Sequence, residues 1–146
     1  TPYFGPDDGL IQALMAAAGR GVKVTLIVPK LNDSTLVAWS SKSFYSDLMS
    51  AGVQIAEFHG GLLHTKSLLI DKRIAIFGSV NFDQRSLRLN FEISLIVYNE
   101  AFCAKLENLI ETYLQQSDFV DPKVWARRPH WHHYLENAAH LASPLL

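Results

Sequence analysis

The chain has 146 residues, 49% of them hydrophobic and 18% charged, which suffices for one domain with an ordinary packed core. Its formal net charge of −1 excludes the global basic footprint of a protein that tracks long nucleic acids, so no nucleic-acid partner is expected and any phosphate recognition is local. A single cysteine, Cys103, excludes an internal disulfide and reads as a buried small hydrophobe, and no apolar run approaches the roughly 20 residues that cross a bilayer.

Asp7 is placed to cap a helix from about Asp8 to Ala18, where Leu10, Ile11, Leu14, Met15 and Ala18 recur at helical spacing and Gly19 and Gly21 mark the end. Val22 to Val28 is β-branched and nearly continuous in apolar character, the pattern of a strand covered on both faces, and Pro29 stops it. A helix followed by such a strand predicts an α/β layered fold. Asn32-Asp33-Ser34 supplies a second cap, for a helix over Leu36 to Met49 that carries Val37, Phe44 and Leu48 and ends near Gly52. Val53 to Phe58 is the next strand, and His59-Gly60-Gly61 is a turn.

The chemistry begins at His64. His64 and Lys66 are two apart, so on an extended strand they project from one face while Thr65 points away. Ser67-Leu68-Leu69-Ile70 continues the strand, Asp71-Lys72-Arg73 is a polar break, and Ile74-Ala75-Ile76-Phe77 is a second apolar run, which together predict a hairpin. Gly78 then lets the chain turn so that Ser79, Asn81 and free backbone amides point at an anion bound near His64. A neutral imidazole attacks phosphorus and leaves again near neutral pH, a lysine places a point charge on phosphoryl oxygens, and a carboxamide donates to them as charge builds.

A loop through Arg85 leads to a strand over Phe91 to Tyr98, with Glu92 and Ser94 on one face and Phe91, Ile93 and Leu95 on the other. After Asn99 a helix carries Phe102, Leu106, Leu109, Ile110, Tyr113 and Leu114 on an apolar stripe that packs on the sheet. Asp121-Pro122 opens a short helix that Arg128-Pro129 breaks, and Trp131, Tyr134, Leu135, Ala138 and Leu141 line a last amphipathic helix. His130, His132 and His133 invite a zinc reading, but no acidic or cysteine partner stands at ligand spacing, so no metal is expected.

The spacing H-x-K-x4-D-x6-G-S-x-N over His64 to Asn81, completed by Asn90-Phe91-Glu92, resembles the HKD motif of the phospholipase D superfamily. Within it, Leu62-Leu63-His64-Thr65-Lys66, Gly78 to Ser86 and Leu89 to Glu92 are similar to the second HKD half of bacterial cardiolipin synthases. The likeness reaches outward to Pro2 to Asp7, Leu36 to Ser41 and Ser143 to Leu146, and so covers essentially the whole chain. It implies a phospholipase D-like half-domain, a mixed and mostly parallel β-sheet flanked by helices, over residues 1–120. Residues 121–146 form a helical tail, packed either on the domain edge or on a missing half and the lipid interface.

Nothing after Thr1 reads as a signal peptide, so the chain reads as an excised piece, and the same resemblance implies that membrane segments and a first HKD half lie upstream in a longer protein of the bacterial inner membrane. The catalytic set it implies is His64, Lys66, Asp71 and Glu92, with Lys66, Ser79 and Asn81 on the substrate phosphate and no cofactor. His64 is then one of two histidines: the general acid/base if the upstream motif supplies the nucleophile. Glu92 fits the carboxylate that accepts a hydrogen bond from the imidazole. Asp71, at the hairpin turn, also reads as structural, and Arg85 and Arg88 either hold the loop or bind a headgroup. Phosphatidylglycerol and anionic lipid are the implied partners, together with the first half or a twofold-related copy. Two rivals stand beside this transferase: a hydrolase of the same superfamily, phospholipase or nuclease, and a non-catalytic lipid-binding half.

Overall fold

Five helices begin where a short polar side chain takes up an amide that the first turn leaves unpaired. In the computed structural model, which describes residues 1–32 and 34–129 with Trp131 and Tyr134, Asp7 accepts from the Leu10 amide at 2.9 Å and opens α1 (Asp8–Gly19). Ser34 opens α2 (Thr35–Ser43), Asp83 opens α4 (Gln84–Arg88), Asn99 opens α5 (Glu100–Gln115) and Asp121 opens α6 (Pro122–Ala126). The exception is α3 (Tyr45–Ser50), which continues from α2 through Phe44 without a side-chain cap.

The strands are β1 (Phe4–Gly5), β2 (Thr25–Pro29), β3 (Gln54–Phe58), β4 (Ser67–Ile70), β5 (Ile74–Gly78), β6 (Phe82–Asp83), β7 (Ser94–Val97) and β8 (Ser117–Phe119). They pair as β1-β6, β2-β3-β8 and β4-β5-β7. The expected mixed α/β architecture with flanking helices is present, but pairing leans to antiparallel: β1–β6 and β2–β3 are parallel, whereas β3–β8, β4–β5 and β5–β7 are antiparallel. Parallel neighbours need a crossover, which α2 and α3 supply between β2 and β3, while β4 and β5 are joined by a tight turn. Asp71 and Lys72 hold that turn in the left-handed region, at φ 49° and 58°, as primed hairpin turns require.

The main core gathers Phe4, Ile11, Leu26, Val28, Tyr45, Leu48, Val53 and Ile55 between the first ladder and helices α1 to α3. A smaller one, Ala75, Cys103 and Leu106, seats α5 on the hairpin, so Cys103 is the buried hydrophobe expected of it. Thr65 and Tyr113 share a 2.7 Å hydrogen bond, and the His59 amide donates to the Gln116 carbonyl at 2.9 Å. Both contacts tie the segment carrying His64 to α5.

Several elements differ from the expectation. The helix over Leu36 to Met49 is broken at Phe44, whose ring meets Phe4 edge-on at 6.0 Å, and the break lets Tyr45 and Leu48 both turn inward. β2 begins only at Thr25 and buries alternate residues, Leu26 and Val28, so it is covered on one face more than the other. Segment 82–88 holds β6 and α4 where a loop was expected. Strand β8 had no signal in the sequence; it pairs with β3 and is tied down by Lys30 and Asp118. Trp125 of α6 lies on Tyr45 with ring centroids 4.9 Å apart. The last helix and His130, His132 and His133 lie outside the described residues, apart from Trp131 and Tyr134, which are exposed.

Leu48 has no exposed surface and sits where α3 meets β3. Leu48→Ala is expected to cost about 2 to 5 kcal/mol, read as a lowered midpoint in chemical denaturation followed by tryptophan fluorescence.

Candidate active site

The hairpin brings two distant segments to one end of the β4-β5-β7 ladder. His64 and Lys66 lie just ahead of β4 on extended chain, and the Gly78 amide still donates to the Lys66 carbonyl at 3.2 Å, so the pairing runs past the strand's formal start. Gly78 itself faces Ser94 on β7. A Cβ there would stand 2.0 Å from the Ile93 carbonyl oxygen, so only glycine lets β7 come this close. The next amide, of Ser79, donates to the same Ile93 oxygen at 2.9 Å, while the Ile93 amide donates to Ser79 Oγ at 3.0 Å. Glu92 is thereby fixed beside Ser79, in the loop before β7 and not on the strand as expected.

Glu92 is a held carboxylate. Hydrogen bonds from Ser79 and then Asn90, whose Nδ2 stands 3.0 Å from Oε1, keep its pKa below the ordinary carboxylate value, and the Lys66 charge adds to this. The Lys66 pKa is lowered as well, here because desolvation disfavours the ammonium, opposed by the charges of Glu92 and Asp83. Lys66 Nζ donates to the His64 backbone carbonyl at 3.0 Å. Asn81 is partly buried, with Nδ2 donating to Ser86 Oγ at 3.3 Å and Oδ1 enclosed without a partner among the described residues.

The His64 side chain is exposed and has no hydrogen bond among the described residues. The expected bond from its ring to Glu92 is not made among the described residues; Glu92 accepts from Ser79 and Asn90 instead. Asp71 is not brought to the cluster: it lies at the hairpin tip, with the whole of β4 between it and Lys66. Of the two arginines left open, Arg88 is engaged, donating through Nε and Nη2 to Asp7 Oδ2 and so pinning α4 to the start of α1. Asp83 and Asn90 were not expected in the site. Asp83 stands three before Ser86, the spacing of a helix cap, and that signal marks its place but not its field at Lys66.

An exposed imidazole, a cation, a hydroxyl and a carboxamide around a fixed carboxylate can take up a phosphodiester and exchange a proton with it. Solved structures share the scaffold. A phospholipase D family member, Nuc, from Salmonella typhimurium superposes with a TM-score of 0.70 at 17% identity, over 82% of this chain and 78% of that one. Phosphatidylserine synthase of Haemophilus influenzae gives 0.72 at 18% identity, over 100% of this chain and 40% of that one. At such identities the likeness defines a phospholipase D fold.

Residues 1–114 match the family described as cardiolipin synthase, PLD-like domain, and the chain belongs to it. It is 47% identical over all 146 residues to cardiolipin synthase A of Cronobacter sakazakii, and equally so to that of Yersinia pseudotuberculosis. The chain spans 30% of the length of each of these relatives.

Two substitutions test the site's construction. Gly78→Ala is expected to push β7 and the Glu92 loop away, with faster hydrogen exchange at the Ser79 and Ile93 amides. Ser79→Ala is expected to raise the Glu92 titration midpoint toward its ordinary value of 4.5, read by carbon NMR of the carboxyl. Since the folded value is the depressed one, ionised Glu92 contributes stability above the unfolded value, lost as pH falls through the folded one.

Proposed function

We propose that the chain is the second catalytic half of a cardiolipin synthase, which moves a phosphatidyl group from one phosphatidylglycerol to another and releases glycerol. The observation that carries this is His64: an exposed imidazole that the fold does not use, held beside Lys66 in the chain of a cardiolipin-synthase-like domain. Residues 1–120 are read as the half-domain and 121–146 as a tail on it or on its partner.

The histidine of the first HKD half attacks phosphorus of the first lipid; the bond from phosphorus to the headgroup glycerol oxygen breaks, and that oxygen takes a proton from protonated His64. Neutral His64 then takes the proton of a headgroup hydroxyl on the second phosphatidylglycerol. The freed oxygen attacks phosphorus, and the bond to the first histidine breaks, returning it. Lys66, Ser79 and Asn81 serve the phosphoryl oxygens in both steps, and Lys66 supplies the positive charge that the phosphodiester needs on this side. Glu92 steadies Lys66 and, once the halves meet, the imidazolium. Asp71 belongs to the motif by sequence and acts through the hairpin turn.

A second half fits the surface left bare. Leu62 lies 90% exposed two residues before His64, and Leu89, Phe91 and Ile93 are exposed on either side of Glu92. So much apolar surface around a polar site is the mark of an interface. The partner is the first HKD half of the same protein or a twofold copy. Among the described residues no helix is long and apolar enough to cross a membrane; the membership in a cardiolipin-synthase family is what supports placing the full protein at the bacterial inner membrane.

In the full-length enzyme, His64→Ala is expected to lower the rate of cardiolipin formation by more than about 100-fold without loss of folding. Labelled phosphatidylglycerol decides the reaction type: cardiolipin as product supports transfer, and free phosphatidic acid would assign hydrolysis instead. A folded His64→Ala enzyme within tenfold of wild type would sink the role given to His64.

A further inference from the structure

We propose that the slot between β2 and β4 receives the stretch of polypeptide that precedes Thr1 in the longer protein, as a strand parallel to β2 and antiparallel to β4 that joins the two three-stranded ladders into one sheet. Such a strand fixes the catalytic hairpin to the main core, whichever reaction His64 and Lys66 serve.

Each of these strands has one bare edge. Among the described residues β2 pairs with β3 alone and β4 with β5 alone. A cavity of about 420 Å³ lies between them, lined on one side by the consecutive residues Val24 to Ile27 and on the other by Ser67 to Leu69. Successive side chains point to opposite faces of a strand, so only its edge presents consecutive residues together. The slot is therefore bounded by main chain.

The hydrogen bonds tell which groups face it. The Val24 carbonyl takes the Gln54 amide and the Lys30 amide donates to Phe58, so the even-numbered residues of β2 turn toward β3. The Lys66 carbonyl takes the Gly78 amide, so the even-numbered residues of β4 turn toward β5. The amides and carbonyls of Thr25 and Ile27, and those of Ser67 and Leu69, are left to the slot. Beside them stand Leu14 of α1 and Ile110 and Leu114 of α5, and main-chain groups against such apolar surface need partners. An inserted strand supplies them from both of its edges at once.

Thr1 sits at one end of the slot and sets direction and register. Its nitrogen donates to the Ile27 carbonyl at 3.0 Å, and Asn32, farther along the course of β2, reaches the Pro2 carbonyl at 3.3 Å, so the chain leaves Thr1 parallel to β2. Traced backward from Thr1, the same line passes Thr25 and Ser67 toward Lys23, Asp71 and Lys72 at the other end, which is forward along β4. The terminal amine is out of place as a charge: desolvation, with the Lys66 ammonium against it, lowers its pKa from 8.0 to about 5. As a peptide N–H the same nitrogen makes the Ile27 bond with no charge to bury. The relatives have ample chain for this, since these 146 residues span 30% of their length. Register follows from the same bond. The Gln54 amide on the Val24 carbonyl sets Gln54 opposite Thr25, so the Thr1 nitrogen on the Ile27 carbonyl sets Thr1 opposite Val28 and the third residue before Thr1 opposite Thr25.

The test is amide hydrogen exchange in the longer protein. Thr25, Ile27, Ser67 and Leu69 are expected to exchange within about tenfold of Leu26 and Leu68, their neighbours inside the ladders, whereas an open slot would leave them about 100-fold faster or more. Thr25→Cys, combined with a cysteine at the third residue before Thr1, should form a disulfide on oxidation, read by mass, because paired Cα atoms of adjacent strands stand about 4.8 Å apart. A cysteine at the second residue before Thr1, which faces the other way, should not.

Fast exchange at all four amides of the wild-type protein would overturn the strand, because the slot then stands open. Protection without the cross-link, in a cysteine variant whose Leu26 and Leu68 amides remain protected, would overturn it as well, because another segment then fills the slot or β2 and β4 have closed on each other.

Discussion

The close approach of β5 and β7 at Gly78 is the constraint on which the rest of the site depends. With no Cβ between them, the Ile93 carbonyl can receive the Ser79 amide and the Ile93 amide can reach the Ser79 hydroxyl. That reciprocal clasp fixes the loop bearing Asn90 and Glu92 against the segment bearing Ser79 and Asn81. Lys66, joined to the same point through its carbonyl and the Gly78 amide, then stands in the field of Glu92 and Asp83. One missing methyl group thus lets three stretches of chain converge.

The features legible in the sequence were local. Asp7, Ser34, Asn99 and Asp121 announce their helices because a cap is decided within four residues, and the hairpin announces itself by two apolar runs around Asp71-Lys72-Arg73. The order of His64, Lys66, Ser79, Asn81 and Glu92 was legible too, since a motif keeps its spacing whatever lies around it. The features that stayed hidden depend on pieces brought from afar. Strand β8 is three residues, Ser117-Asp118-Phe119, without useful alternation, and becomes a strand only because α5 returns it to β3. The break at Phe44 answers to Phe4, from the other end of the core.

The same holds for the site's finer structure. No spacing rule tells that Glu92 is engaged by Ser79 and Asn90. An incomplete environment around His64 fits a chain spanning under a third of its relatives' length. Glu92 and Lys66 find partners within the chain, whereas His64, Leu62 and Phe91 are exposed.

The segment before the hairpin is anchored at both ends: the His59 amide on the Gln116 carbonyl where α5 finishes, and the Lys66 carbonyl on the Gly78 amide. Between those anchors the number of residues is a ruler. A residue inserted between His64 and Lys66 on extended chain displaces one from the other by about 3.3 Å and reverses which side it faces. The hairpin tip at Asp71 and Lys72 is exposed and lies at the far end of β4, where extra residues would leave the ruler untouched. Length variation is therefore less disruptive to the ruler at the tip than between its anchors, and its cost there is the pairing of Lys72 with Glu107 of α5.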